Sequence, residues 1–306
     1  MPLWRKYRPT VFVEFYGSKR LIEDCKAWVK KGDMPHLLLE GPAGRGKTVL
    51  AECLRNEFGL SMANFKEINA SDDRGVKVVR EQVKNFAKTA RSGTVPFKIM
   101  LIDEADGMTK IALGALKRTM ELYPHIRFIL TCNDVSKVIK PVRDRCQVYK
   151  FKAMHYKHME QLIADVARKE GQLLSPAIVT AIRQVVAGSP RKAMNILETV
   201  LVRDEITVED IHAMVGTPDA ENVFALIYSM LKGSENSLKR LSDMLDAGTD
   251  PAKIIRMMHG IAFKGGKLTW EQRVAILRGI GNLPGSTEEQ RLSAIVGTIT
   301  TRRMKG

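Results

Sequence analysis

The chain has 306 residues, 44% of them apolar and 27% charged, with a formal net charge of +15 at pH 7. That length exceeds one typical core and predicts two or three domains. It shows neither an 18-residue apolar run nor a secretory h-region after Met1-Pro2-Leu3-Trp4-Arg5, so a membrane-spanning helix is excluded and a cytoplasmic location is expected. Cys25, Cys53, Cys132 and Cys146 are scattered without CxxC spacing, so reduced thiols are expected rather than a zinc module or a disulfide framework. The basic excess predicts an anionic partner, nucleic acid being the commonest; because it is spread along the chain, a general solubility charge is the lesser alternative from composition alone.

From Met34 to Phe151, apolar runs alternate with helix-periodic stretches, the pattern of an α/β domain whose parallel sheet carries helices on both faces. Strands are expected at 37–40, 65–69, 98–102, 127–132 and 147–150. Beyond Phe151 the strand pattern stops, and 154–170, 175–187, 191–201 and 207–215 read as short amphipathic helices, with Gly188-Ser189-Pro190 as punctuation. Further helices follow Thr217-Pro218. The expected layout is a nucleotide-binding α/β domain at 1–152, a helical lid at 153–216 and a separate all-α domain at 217–306.

The first strand runs into Gly41-Pro42-Ala43-Gly44-Arg45-Gly46-Lys47-Thr48, which fits GxxxxGK[ST] in the strand, loop and helix context that a phosphate-binding loop requires. Glycines let backbone N–H groups and the following helix N-terminus face a polyphosphate, Lys47 neutralises terminal phosphate charge, and the Thr48 hydroxyl suits Mg²⁺. The third strand ends in Asp103-Glu104-Ala105-Asp106, at the edge where open α/β sheets bind ligands. There Asp103 would hold Mg²⁺ and Glu104 would activate a water for attack on the γ-phosphate; by itself the same tetrad reads as acidic residues in a first helical turn. Asn133 follows the fourth strand, where its amide reaches the γ-phosphate or the attacking water, or merely makes a turn. Arg145 precedes the last strand and Arg191 opens a helix; a permanently charged planar fork suits phosphate at both positions.

These elements in this order resemble the AAA+ ATPases, and among them the small subunits of the archaeal and eukaryotic clamp loader, replication factor C. The resemblance covers about the first 215 residues and is carried by Lys6-Tyr7-Arg8-Pro9, Met34-Pro35-His36-Leu37-Leu38, Asn69-Ala70-Ser71-Asp72-Asp73-Arg74-Gly75 and Leu116-Lys117-Arg118-Thr119-Met120-Glu121. It implies ATP and Mg²⁺ as ligands, Asn133 as sensor 1, Arg191 as sensor 2, and Arg145 as an arginine finger reaching the ATP site of a neighbouring subunit. It also places Tyr7, Arg8 and Pro9 near adenine and ribose, gives Asn69 a switch role on Glu104, and makes 217–306 a collar whose apolar faces pack against other subunits. The implied function is that of an ATPase subunit that opens a sliding clamp and places it on primer–template DNA, several copies joining a distinct large subunit in a pentamer.

The chain departs from the family pattern in several places. Ala43 and Arg45 stand where the family usually shows Pro and Thr, and Asp144, where Ser is usual, is placed to pair with Arg145. The N-terminal motif is abbreviated and lacks its usual acidic residue, which suits a viral or divergent version.

Between Arg74 and Ala90, Val76, Val79, Val83, Phe86 and Ala90 fall on one helical stripe, and Lys77, Arg80, Lys84 and Lys88 on another. The second stripe is a solvated basic face or a ladder tracking phosphates at about 5 Å per turn; the resemblance favours the ladder, because this region lines the DNA chamber of clamp loaders. Lys117 and Arg118 on the helix after the acidic tetrad read as a surface pair or, by resemblance, as a link from DNA to the ATP site. The residues singled out for DNA are Lys77, Arg80, Lys84 and Arg118. No clamp-binding peptide ends the chain, which leaves 88–96 as the candidate clamp contact. Two rival readings stand beside this one: another DNA-acting AAA+ motor, of the branch-migration or helicase type, and a structural ring subunit that binds nucleotide without hydrolysing it.

Overall fold

The structure, a computed structural model, describes residues 1–70, 76–89, 93–203, 205–215, 220–234, 236–246, 248–264, 268–281 and 287–304, with backbone alone at 76–80, 220–221, 264, 281, 289 and 301–304. Residues 71–75 of the Asn69–Gly75 block, the side chains of Lys77 and Arg80, and part of the 88–96 segment therefore lie outside the described residues. Two compact units emerge, one comprising 1–173 and 186–199, the other 174–185 and 200–306.

The first unit begins with α1 (Leu3–Lys6) and α2 (Lys19–Lys31). The core then alternates β1 (His36–Glu40), α3 (Lys47–Glu57), β2 (Phe65–Asn69), α4 (Val76–Lys88), β3 (Lys98–Asp103), α5 (Lys110–Leu122), β4 (Ile126–Cys132), the short α6 (Lys140–Arg143) and β5 (Cys146–Lys150). All strands are parallel, in the order β2-β3-β4-β1-β5. Each expected strand is present, the bounds differing by at most one residue at an end.

Alternation along the strands sends successive side chains to opposite faces, and both faces are covered, so the central strands read as continuous apolar runs. Leu38, Met100, Ile102, Phe128 and Leu130 pack with Val83 and Phe86 of α4 and Leu113, Leu116 and Met120 of α5. Leu37, Leu39, Ile99, Leu101 and Ile129 pack on the other side with Leu21 and Cys25 of α2 and Leu50 and Leu54 of α3. All four cysteines are free thiols, and burial pushes each up to about 12. His36 at the head of β1 accepts a hydrogen bond at Nδ1 from the Phe128 N–H at 3.0 Å, and burial, with the nearby Arg127 charge, lowers it to about 4.

Lys98, the first residue of β3, is fully buried and seats the C-terminus of α4. Its ammonium donates to Phe86 O at 2.9 Å, to Thr89 Oγ1 at 2.7 Å and to Thr89 O, and lies 5.0 Å from the centre of the Phe86 ring. A cation there neutralises the helix carbonyls that lack intrahelical partners. Lys98→Met keeps the stem and strips those oxygens of their donor, so we expect it to destabilise the chain by about 1–3 kcal/mol. Urea unfolding followed by far-UV circular dichroism reads this as a lowered midpoint; an unchanged midpoint would show that α4 does not depend on the ammonium.

After β5, α7 (Tyr156–Lys169) and α9 (Pro190–Val200, to residue 199) belong to the first unit, and α8 (Pro176–Val185) to the second. The second unit continues with α10 (Val208–Met214), capped by a reciprocal Thr207–Asp210 box, which packs on α8. It ends with α11 (Ala220–Leu231), α12 (Asn236–Asp246), α13 (Pro251–Lys264), α14 (Trp270–Gly281) and α15 (Glu288–Met304). Val223, Ile227, Leu241, Ile254, Met258, Ile276, Leu292 and Val296 form one core within this unit. The apolar faces that the sequence assigns to contacts with other subunits are thus largely satisfied inside the chain; Tyr228, Leu238, Phe263 and Trp270 are the large apolar side chains left exposed among the described residues of these five helices. Among the described residues, no helix is long and apolar enough to cross a membrane.

Candidate functional site

Strand order brings the chemistry together. At the carboxyl edge of the sheet, Asn69, Asp103, Cys132-Asn133 and Glu40-Gly41 end or follow the neighbouring strands β2, β3, β4 and β1. A cavity of about 660 Å³ opens there, lined by Tyr7, Arg8, Pro9, the loop from Ala43 to Thr48, Asp103, Glu104, Asn133 and Arg191, together with Trp4, Phe15, Thr131, Lys169 and Met194.

The loop between β1 and α3 turns at Gly46, which has φ +93° and serves as the N-cap of α3. That left-handed conformation admits glycine at little cost and leaves the N-terminal amides of α3 pointing out of the helix. Lys47 is buried, and its ammonium donates to Gly41 O at 2.5 Å, to Pro42 O at 3.1 Å and to Asn133 Oδ1 at 3.4 Å. Burial lowers its pKa, with the opposing pull of Asp103 and the acids around it. Gly41 and Pro42 therefore act on the site through carbonyls that aim the lysine.

Thr48 Oγ1 lies 3.4 and 3.5 Å from the two Asp103 carboxylate oxygens. Thr131, one strand over, donates its hydroxyl to Asp103 Oδ1 and accepts the Glu104 N–H at 3.1 Å. Glu104 has φ +55°, a conformation that a non-glycine residue holds only where its surroundings impose it. Asp106 accepts the Asn133 and Asp134 N–H groups at 3.2 and 3.4 Å, fixing the turn that carries Asn133. Thr131 and Asp106 escaped assignment from sequence because a threonine within an apolar strand reads as a strand former and the last acid of the tetrad as a helix-start residue.

The N-terminal segment is pinned to α3. Arg8 pairs with Glu52 at 2.5 Å, Cys53 Sγ donates to Pro9 O at 3.6 Å, Asn56 Nδ2 to Thr10 O at 2.9 Å, and the Phe12 N–H to Glu57 at 2.8 Å. The Tyr7 hydroxyl and the Lys6 ammonium both donate to Glu170, at 2.6 and 2.7 Å, tying the segment to the end of α7. Arg191 lies 5.4 Å from the centre of the Trp4 ring, a cation over an aromatic face, and Ser189 Oγ donates to Gly44 O at 3.4 Å.

Arg145 stands apart. It precedes β5 at the amino edge of the sheet, on the order of 15 Å of strand away from the phosphate loop. There it lines a second cavity, of about 420 Å³, with Trp28, Asp33, His36 and Arg127. Its guanidinium donates to Pro141 O at 2.7 Å and pairs with Glu121 at the end of α5. The carboxylate on Arg145 is therefore that of Glu121, not that of Asp144 as the sequence suggests; adjacency in the chain did not decide the pairing. Of the residues singled out for DNA, Lys84 on α4 and Arg118 on α5 are exposed, as is Lys88.

A five-stranded parallel sheet with this loop and these acids at its carboxyl edge defines a nucleotide-binding ATPase of the AAA type. Residues 37–153 match the model of the ATPase family associated with various cellular activities (AAA). The chain belongs to the replication factor C small subunit family: it is 40% identical over 248 residues to the replication factor C small subunit of Archaeoglobus fulgidus, covering 79% of this chain and 78% of that protein. Against the same subunit of Aeropyrum pernix it is 34% identical over 315 residues, covering 99% and 97%. It is accordingly an ATPase of DNA replication, of the clamp-loader type. The Thermotoga maritima RuvB Holliday junction branch migration motor shares its fold, with a TM-score of 0.58 over 80% of this chain and 86% of that one, at 18% identity. That likeness is one of architecture, and the branch-migration reading is not favoured.

Proposed function

We propose that this chain is one of several ATPase subunits of a sliding-clamp loader, which binds Mg²⁺ and ATP at the carboxyl edge of its sheet and receives its finger arginine from a neighbour. The observation that carries this reading is the separation of Arg145 from the cavity on its own chain: a cation meant for phosphate lies at the opposite sheet edge, held ready by Glu121 and Pro141 O. Such a site works only in an assembly, which suits a machine whose ATP turnover must await partners.

Within one site, Lys47 neutralises the terminal phosphates and the α3 amides hold the phosphate tail. Asn133 is placed beside Lys47 to meet the γ-phosphate, and Glu104 takes the proton of the attacking water. The Thr48 hydroxyl backed by the Asp103 carboxylate offers the hard oxygen donors that Mg²⁺ prefers, and Mg²⁺ bound there would neutralise charge on the β- and γ-oxygens. Tyr7, Arg8 and Pro9 line the same cavity and suit adenine and ribose, and Arg191 leaves Trp4 to reach phosphate. Exposed Lys84, Lys88 and Arg118 support sequence-independent contacts to primer–template DNA, with Lys77 and Arg80 on the same helical stripe as Lys84.

The test is steady-state ATP hydrolysis by the chain assembled with a clamp-loader large subunit, with and without primer–template DNA and the cognate clamp. We expect joint stimulation by DNA and clamp well beyond either alone. Turnover stimulated by DNA and indifferent to the clamp would instead mark a translocating motor.

A further inference from the structure

We propose that Arg45 is a second phosphate cation of this site, packed against the Gly188–Ser189 turn, and that it binds the non-bridging oxygens of the diphosphate portion shared by ATP and ADP. The proposal rests on the reading of the 660 Å³ cavity as the nucleotide site.

Arg45 lines that cavity, yet its Nε and Nη1 are buried and have no hydrogen-bond partner among the described residues. Buried guanidinium donors in folded chains are nearly always matched to an acceptor, so two unmatched ones on a residue of the phosphate-binding loop that lines this cavity point to an anion as the missing partner. Burial also depresses the Arg45 pKa, with no neighbouring charge offsetting it.

The surroundings are shaped to the side chain. A Cβ on Gly188, whose φ is +73°, would stand 2.7 Å from Ala153 Cβ and 2.9 Å from Arg45 Nη1, so a side chain at this turn would crowd both. The Ser189 hydroxyl holds Gly44 O at 3.4 Å, so the first half of the loop and the turn before α9 already touch. Position along the phosphate tail follows from Lys47: its contact with Asn133 marks the γ end, beside Glu104. Arg45 Nη1 lies beside Gly188, and we assign it to the oxygens that remain after hydrolysis.

The consequence is an exchange of stability for affinity, which separates a ligand-binding role from simple packing. Arg45→Met removes the unmatched donors and keeps an unbranched side chain of similar reach, and Arg45→Lys keeps charge without the planar fork. We expect Arg45→Met to raise the melting temperature of the nucleotide-free chain while weakening a fluorescent ADP and a fluorescent non-hydrolysable ATP analogue by the same factor, on the order of tenfold. Arg45→Lys should recover part of that loss. A melting temperature that falls without nucleotide, or affinities that do not change, would make Arg45 a packing element and overturn the proposal. Weakening confined to the ATP analogue would overturn the diphosphate assignment. Lys47→Ala provides the control: if it still bound both nucleotides at full strength, the failure would lie with the cavity as the nucleotide site and not with Arg45.

Discussion

Replacing Glu104 by Gln is expected to lower ATP turnover of the assembled complex by about 10²–10³ while leaving ATP binding nearly intact. The side chain keeps its size and its place at the end of β3, and the substitution spares both the left-handed backbone at φ +55° and the Thr131 bond to the Glu104 N–H. What is lost is the carboxylate that accepts a proton from water. Burst kinetics would show the variant filling its sites with ATP and stalling there. A variant that lost binding and turnover in parallel would mean that Glu104 holds nucleotide rather than activating water, and would return the acidic tetrad to a helix-start role.

Arg145→Ala should cost a comparable or larger factor, on the order of 10³ in turnover of the assembly, because a finger arginine acts on charge that develops in the transition state. The isolated Arg145→Ala chain should bind nucleotide as the parent does, since Arg145 lines a different cavity at the other sheet edge. Mixing provides the decisive version. Assemblies of Arg145→Ala chains alone and of Glu104→Gln chains alone should both be strongly impaired, but a mixture would contain interfaces where an intact Glu104 on one chain meets an intact Arg145 on its neighbour. Partial recovery of turnover in the mixture is the expected result, and none would be seen if both residues served the same chain.

Much of this was legible in the residues. The strand from Lys98 to Asp103 announces itself because both of its faces are buried, which leaves a run of apolar side chains no surface strand would carry. The phosphate loop is legible because glycine spacing and backbone geometry are one requirement seen twice. What stayed hidden are pairings across the chain. Glu121 and Arg145 lie 24 residues apart, and Lys6 and Glu170 lie 164 apart, so no local pattern links them. Polar residues that serve other residues were equally silent: Thr131 orders Asp103 and Glu104 from within the apolar run Phe128–Cys132. Lys98 belongs to the same group, since an N-terminal strand lysine reads as solvent-exposed and only the fold turns it into a buried anchor for α4.

One helix, α5, reaches from the acidic tetrad to Glu121, the partner of Arg145. Its N-cap Thr109 follows the Glu104–Met108 turn, and its last turn carries Glu121. Thirteen residues of α-helix make a strut of about 20 Å. Such a strut links the end beside Glu104 to the Arg145 guanidinium at the far end. If that guanidinium completes the next subunit's site, as proposed, then a row of these chains is a row of levers, each tripping its neighbour, and the direction in which firing spreads along the row is written into the polarity of a single helix.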